Sequence, residues 1–143
     1  MTLISGTPIA SFDLGAVDPD FERAELRFEE LSPPAASFEL RIFLDQPGAG
    51  AKTPTAGNPR YIGSQFFYGL GAEAERNAPE DKLRGAGQFA PTQIRLNVTS
   101  ELRRFLAQAN RSTVSVTPVA VDLQGNEIRD PGLRFEAVSL VTS

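Results

Sequence analysis

The chain reads as all-β: an antiparallel β-sandwich of about seven strands, jelly-roll or Greek-key-like, with one short helix near residues 100–109. A flattened barrel is the neighbouring alternative. Three observations carry this expectation. Apolar and polar residues alternate over short runs, most clearly Phe38, Leu40, Ile42 and Leu44 against Glu39, Arg41, Phe43 and Asp45. Proline and glycine clusters separate the runs. Only the stretch holding Leu102, Phe105, Leu106 and Ala109 has convincing helical spacing.

Residues 1–20 mix short apolar pieces, Leu3-Ile4 and Ile9 to Phe12, with Gly, Pro and Asp. They predict one or two short edge strands, or an extended arm, ending at Asp18-Pro-Asp20. Next, Ala24, Leu26 and Phe28 alternate with Glu25, Arg27 and Glu29, a strand with one face on a core and the other in water. Ser32-Pro33-Pro34 ends it, because proline cannot donate to a ladder and restricts the residue before it. The Phe38 strand follows, and each side chain buried from it contributes about 1.5–3 kcal/mol. Phe43 falls on the face opposite that core. Two readings fit it: cover by a neighbouring loop, or a contact surface for another protein.

Gln46 to Arg60 holds three prolines and three glycines and is expected to be a loop. Its Gly48-to-Thr53 piece is no phosphate-binding loop. That motif needs glycine directly before the lysine and again at its head, where this chain has Ala51 and Gln46. Tyr61 to Gly71 packs aromatic and branched residues between glycines, which predicts a central strand. Gly63 and Ser64 would admit a bulky side chain or another backbone, and Gly69 and Gly71 would end the run. Residues 70–92 are long and polar, so they mark a functional or mobile loop with a short helical turn, or else a solvated, variable excursion.

Ile94, Leu96 and Val98 form another strand, and Thr99 or Ser100 is placed to cap the helix, which Asn110 would end. Ten or so residues make it a crossover packed on a sheet rather than the organiser of the fold. Beyond it, Val114 and Val116 are followed by Val119, Val121 and Leu123, so the period slips at Pro118; a bulge or an edge position would explain both facts. Gln124-Gly125-Asn126 is a turn, and Leu133, Phe135, Val138 and Leu140 form the closing strand. Asp122, Gln124 and Asn126 resemble the start of a calcium loop, but the glycine and distal glutamate it needs are misplaced.

The chemistry the chain lacks narrows its function. There is no cysteine and no histidine, hence no disulfide, no thiolate nucleophile, no imidazole base and none of the usual ligands for copper, zinc or haem iron. No metal or cofactor is expected. A net charge of −4 with interspersed signs offers no stripe for phosphates, so nucleic acid is not an expected partner. No apolar run reaches the roughly 18–20 residues of a membrane helix. The N-terminus lacks a signal-peptide pattern, which makes a soluble, cytoplasmic protein the default expectation and deprives the sequons at Asn97 and Asn110 of weight. Residues 1–143 fit one domain. Carboxylate pairs could in principle do acid–base work. Glu29 and Glu30, however, point to opposite faces of a strand, and solvation explains these and the Asp18–Asp20 pair better.

Taken together, Phe38-Glu-Leu-Arg-Ile-Phe-Leu-Asp45, the Pro-rich loop, Asn58-Pro-Arg-Tyr-Ile-Gly-Ser-Gln-Phe-Phe-Tyr-Gly69, the Ile94 strand with its helix, and Val114-Ser-Val-Thr-Pro118 resemble a known arrangement. It is the β-sandwich domain that follows the copper domain in tyrosinases and polyphenol oxidases. The resemblance spans roughly Ala24 to Val141, and the chain departs from it by placing Tyr68 before Gly69. It implies a sandwich that covers the entrance of an active site whose copper-binding histidines belong to the other domain, here as a stand-alone chain. The expected function is therefore non-catalytic: an accessory or structural subunit binding another protein, an enzyme or an assembly subunit, or binding itself. Partner contacts are expected at Phe43, Phe67 and Tyr68. A sugar or small-molecule site is the alternative, although stacking platforms are few, with no Trp and two Tyr.

Overall fold

Alternation along the chain decides which side chains leave water. In β2 (Ala24–Glu29), Ala24, Leu26 and Phe28 are fully buried between half-exposed Glu25, Arg27 and Glu29. In β3 (Phe38–Leu44), Phe38, Leu40 and Ile42 do the same. A computed structural model describes residues 2–32, 34, 36–69, 93–107 and 112–143. It adds β1 (Ala10–Asp13), β4 (Tyr61–Phe67), β5 (Gln93–Asn97), β6 (Thr113–Val121), β7 (Ala137–Thr142), a 3-10 turn at Leu14–Ala16 and one helix, α1 (Thr99–Leu106). The expectations placed on residues 70–92, Ala109 and Asn110 lie outside the described residues.

Two antiparallel sheets, ordered β1-β6-β3-β4 and β5-β2-β7, face each other without closing into a barrel. The all-β sandwich expected from the sequence is the fold observed. Among the described strands only β3 and β4 are consecutive within one sheet; every other consecutive pair lies in opposite layers. Between the layers lie Leu3, Leu26, Phe28, Phe38, Leu40, Ile42, Phe67, Val116, Leu133 and Phe135, among others. Phe28 meets Phe135 edge-on at 6.1 Å, and Phe38 stacks on Phe67 at 5.2 Å. Short β1 lies at an edge, as expected for the N-terminal residues.

Four sequence expectations need correction. First, β4 is an edge strand, and it ends at Phe67. Its apolar character reflects cover from the other layer and from a loop rather than two flanking strands: Leu96 of β5 packs over Gly63, leaving ordinary contact distance for an added Cβ at 3.6 Å. Second, β6 passes through Pro118 without a break in register against β3. The Pro118 carbonyl accepts from Gly6 N–H at 2.8 Å on the side away from β3, so the missing proline donor falls where β1 has already left the ladder. The period seems to slip only because both faces of β6 are buried beyond Val116. The bulge lies instead between β3 and β4, at Ile42/Phe43, opposite Gly63 with φ +141°.

Third, the helix is capped by neither Thr99 nor Ser100. Asn97 Oδ1 accepts from the Thr99 N–H at 3.0 Å and the Thr99 hydroxyl at 2.6 Å, while Thr99 Oγ1 itself accepts from Ala24 N–H at 3.0 Å. Threonine's oxygen is committed to β2, so the preceding carboxamide takes over at the helix start. Fourth, Leu133 and Phe135 precede the closing strand; they are buried beside an isolated bridge between Arg134 and Thr2. Leu123, expected in a strand, sits in the turn after β6 and is 68% exposed. That turn is closed by Asp122 Oδ1, which accepts the Gln124 and Asn126 amides at 2.9 Å, and by Gly125 at φ +85°.

Thr117, beside Pro118 in β6, is fully buried, and its hydroxyl meets no hydrogen-bonding partner among the described residues. Burying such a group costs more than burying a methyl of the same shape. Thr117→Val is expected to raise stability by about 1 kcal/mol, read as a higher urea midpoint. A lower midpoint would show that the hydroxyl is bonded in solution.

Candidate functional site

The outer face of the four-stranded sheet, turned away from the core, is built in rows by cross-strand register. Thr117, Phe43 and Tyr61 form one row; Val119, Arg41 and Ser64 the next; Val121, Glu39 and Phe66 the third. The first row and the β6 side of the next two are roofed. Phe43, Ala49, Val119 and Val121 are buried there as a second, smaller core, with Ala51 and Tyr61 packed against it and the Phe43 and Tyr61 rings 5.4 Å apart.

The roof is the loop 46–60, and its ties are numerous. Arg41 Nη1 donates to Ala51 O at 3.3 Å, and Glu127 Oε1 accepts from Ala51 N–H at 2.9 Å. Asn58 Nδ2 donates to Gln46 Oε1 and Pro54 O, and its Oδ1 accepts from Arg60 N–H. Arg60 Nη1 donates to Asp45 O at 3.0 Å, and Arg104 Nη1 of α1 reaches Pro59 O at 2.9 Å. The Gly48-to-Thr53 piece is thus a turn closed by Thr53 Oγ1 accepting from Gly50 N–H, with glutamate and arginine as neighbours rather than a cradle of free amides.

The far end of the face is open on its β4 side. Glu39 and Arg41 are ion-paired in its middle. Beyond them Phe66 and Tyr68, two residues apart and so on one side of the chain, pack at 5.1 Å with ring planes at 45°. Tyr68 is 76% exposed. Its position is held from behind, where Gly69 N–H donates to Ser37 Oγ at 2.9 Å.

Of the three aromatic residues proposed as contacts, the structure therefore leaves one at the surface. Phe43 is buried because the loop covers it, and Phe67 because it points into the main core onto Phe38. Tyr68 alone offers its ring to a partner. Phe66, half-buried beneath it, was not picked out from the sequence, although its i, i+2 spacing to Tyr68 was a usable signal.

Several carboxylates are held in structural bonds. Glu25 lies between Arg27 and Arg23 on the outer face of β2; the hydrogen bond from Arg27, helped by that from Arg23, holds its pKa below the usual carboxylate value. Asp18 Oδ1 accepts from Asp20 N–H at 2.9 Å, and Glu29 Oε1 accepts from Gln93 Nε2 at 3.2 Å in a shallow groove; Glu30, expected on the opposite face of a strand, instead lies past the end of β2 at φ +57° and lines the same groove. Among the described residues no three acidic side chains converge as metal ligands would, and no helix is long and apolar enough to cross a membrane.

No protein-family model matches the chain, and no curated protein matches it in sequence. Solved structures do match. Recombinantly expressed latent aurone synthase, a polyphenol oxidase, superposes with a TM-score of 0.57 at 10% identity, over 99% of this chain and 26% of that one. The same enzyme from its natural source gives 0.54 at 11% identity, over 99% and 25%. The chain thus spans about a quarter of the length of the enzymes it matches. At such identities the likeness is one of fold, and in fold this chain resembles the C-terminal β-sandwich domain of the polyphenol oxidases.

Proposed function

We propose that this chain is a non-catalytic β-sandwich module that docks onto another protein, as an accessory or structural subunit or as the cover of a separate enzyme. The observation that carries the reading is the open end of the outer sheet face, where Tyr68 stands exposed on Phe66 beside the Glu39–Arg41 pair. A rigid aromatic with a polar tip, backed by a second ring and rimmed by charge, has the composition of an interface anchor. Support also comes from the chain's lack of histidine and cysteine, and from its likeness to part of an enzyme described as latent. A sandwich that acts on another protein's accessibility needs shape and an anchor, not a nucleophile.

The experiment is co-purification from the native source followed by affinity measurement with Tyr68→Ala. Tyr68 is exposed, so the variant folds. Loss of about 2 kcal/mol of binding, roughly thirtyfold, is the expected result. The reading fails if the protein always elutes without a companion chain, if Tyr68→Ala binds as tightly as wild type, or if the isolated chain turns over a substrate. A glycan array tests the competing use of Tyr68 as a sugar-stacking platform.

A further inference from the structure

A sandwich has four edges, and each presents unpaired backbone groups that another strand can join unless something blocks it. Three are guarded here. β1 has only four residues and runs into the turn that Asp13 caps through Gly15 N–H. β4 carries the bulge and Gly63 at φ +141°, and the Phe66 carbonyl is occupied by Gln65 Nε2 at 3.1 Å. β5 displays exposed Arg95 at its centre. The fourth, β7, has no such device within its own six residues among the described residues; the irregularity lies just before it, where Glu136 N–H donates to Glu29 O at 3.0 Å although Glu29 pairs with Ala137. Its residues Ala137-Val-Ser-Leu-Val-Thr142 include no charge, proline or glycine, and they pair with β2 in unbroken register over the whole strand.

Which backbone groups of β7 lack a partner among the described residues follows from the ladder. Ser143 N–H donates to Arg23 O at 3.0 Å and Arg23 N–H to Ser143 O at 3.2 Å, so these two exchange both bonds. Alternation makes Val141, Ser139 and Ala137 the next residues bonded to β2. Val98 N–H, donating to Ala24 O at 2.9 Å, shows from the other side that Ala24 faces β5 and not its register partner Thr142. Val138, Leu140 and Thr142 therefore aim N–H and C=O away from the sheet.

We infer that this edge pairs with β7 of a second copy of the chain, antiparallel about a two-fold axis at Leu140. Self-complementarity is what favours a second copy over a foreign strand. With Leu140 opposite Leu140 of the second copy, Val138 falls opposite Thr142 of the second copy, so every outward donor and acceptor of the three residues gains a partner. Residues 138–142, which pair in this register, carry no charged side chain, so no like charges oppose each other among them. The half-buried side chains of Val138 and Leu140, already packed on the core, would cover their counterparts and extend the apolar layer across the junction. An isologous contact of this kind closes after two chains. It is independent of the docking function above, since Tyr68 follows β4 of the other sheet.

The test is sedimentation and light scattering of the full chain from low to high micromolar concentration, with amide exchange followed by NMR. Wild type is expected to pass from 15.4 kDa to twice that mass, and the Val138, Leu140 and Thr142 amides to become protected as it does. Thr142→Pro removes a donor that β2 does not use and is expected to weaken association by about tenfold or more. Ser139→Glu adds a carboxylate beside Arg27, its register partner, so it suits the monomer, while it brings two like charges onto the junction and also weakens the dimer. A mass of 15.4 kDa at every concentration overturns the inference, as does a dimer unaffected by both substitutions. A monomer whose three β7 amides are nonetheless protected overturns it too, and assigns the edge to a different segment.

Discussion

Phe43→Ala is expected to destabilise the protein by about 3–5 kcal/mol, the range for deleting a fully buried phenylalanine. Were Phe43 the exposed contact residue that its position on the strand suggests, the cost would stay within about 0.5 kcal/mol. The two outcomes are far apart, so a single urea melt separates them. The structural reason for the large value is that Phe43 is the largest side chain wholly buried in the second core, where it holds the loop 46–60 down against Val119, Val121 and Tyr61. Its removal leaves a cavity that the loop cannot collapse into without breaking the bonds donated by Arg41 and Arg60 and the one that Glu127 accepts from Ala51 N–H. Amide exchange should rise first at Ala49, Ala51 and Thr53, before β2 or β7 is affected.

Phe67→Ala carries an expected cost of about 3–5 kcal/mol as well, whereas the adjacent Tyr68→Ala should change stability by no more than about 0.5 kcal/mol. Neighbouring aromatic residues differ this much because the strand sends them to opposite faces: Phe67 enters the main core and stacks on Phe38 at 5.2 Å with ring planes 24° apart, and Tyr68 leaves it. Since Phe38 and Phe67 are also register partners, a double-mutant cycle between them should give a coupling of about 0.5–1.5 kcal/mol. Additive losses would mean that the stack contributes nothing beyond area. Comparable losses for Phe67→Ala and Tyr68→Ala would show that the strand exits the sheet differently.

What could be read from the sequence was whatever a local period encodes. β2 and β3 bury one face each, so their alternation marks both their existence and their direction. β6 buries both faces beyond Val116, and a strand in that position has no period to detect; Pro118 then looks like a defect when it sits where a donor is not needed. β4 reads as central because glycine among aromatics signals close approach, but what approaches is one leucine from the opposite layer. At the candidate site, Tyr68 could be named from composition. The fate of Phe43 could not, since it depends on a loop folding back through bonds to residues as distant as Glu127. Helix capping was displaced by a comparable long-range competition, in which β2 claims the Thr99 oxygen.

The layer-to-layer weaving of the chain also governs when it can fold. β2 pairs with β5 and β7, and β1 with β6, so each early strand waits for a partner from much later in the chain. While the polypeptide emerges from the ribosome, the hairpin β3–β4 is the first pair of described strands that can assemble, and an isolated hairpin is marginal in water. Both layers are completed only after translation has passed Thr142, and such non-local topologies close in milliseconds to seconds rather than microseconds. Through that interval Leu26, Phe28 and Phe38, all buried in the finished sandwich, stay open to water and to contact with other unfolded chains.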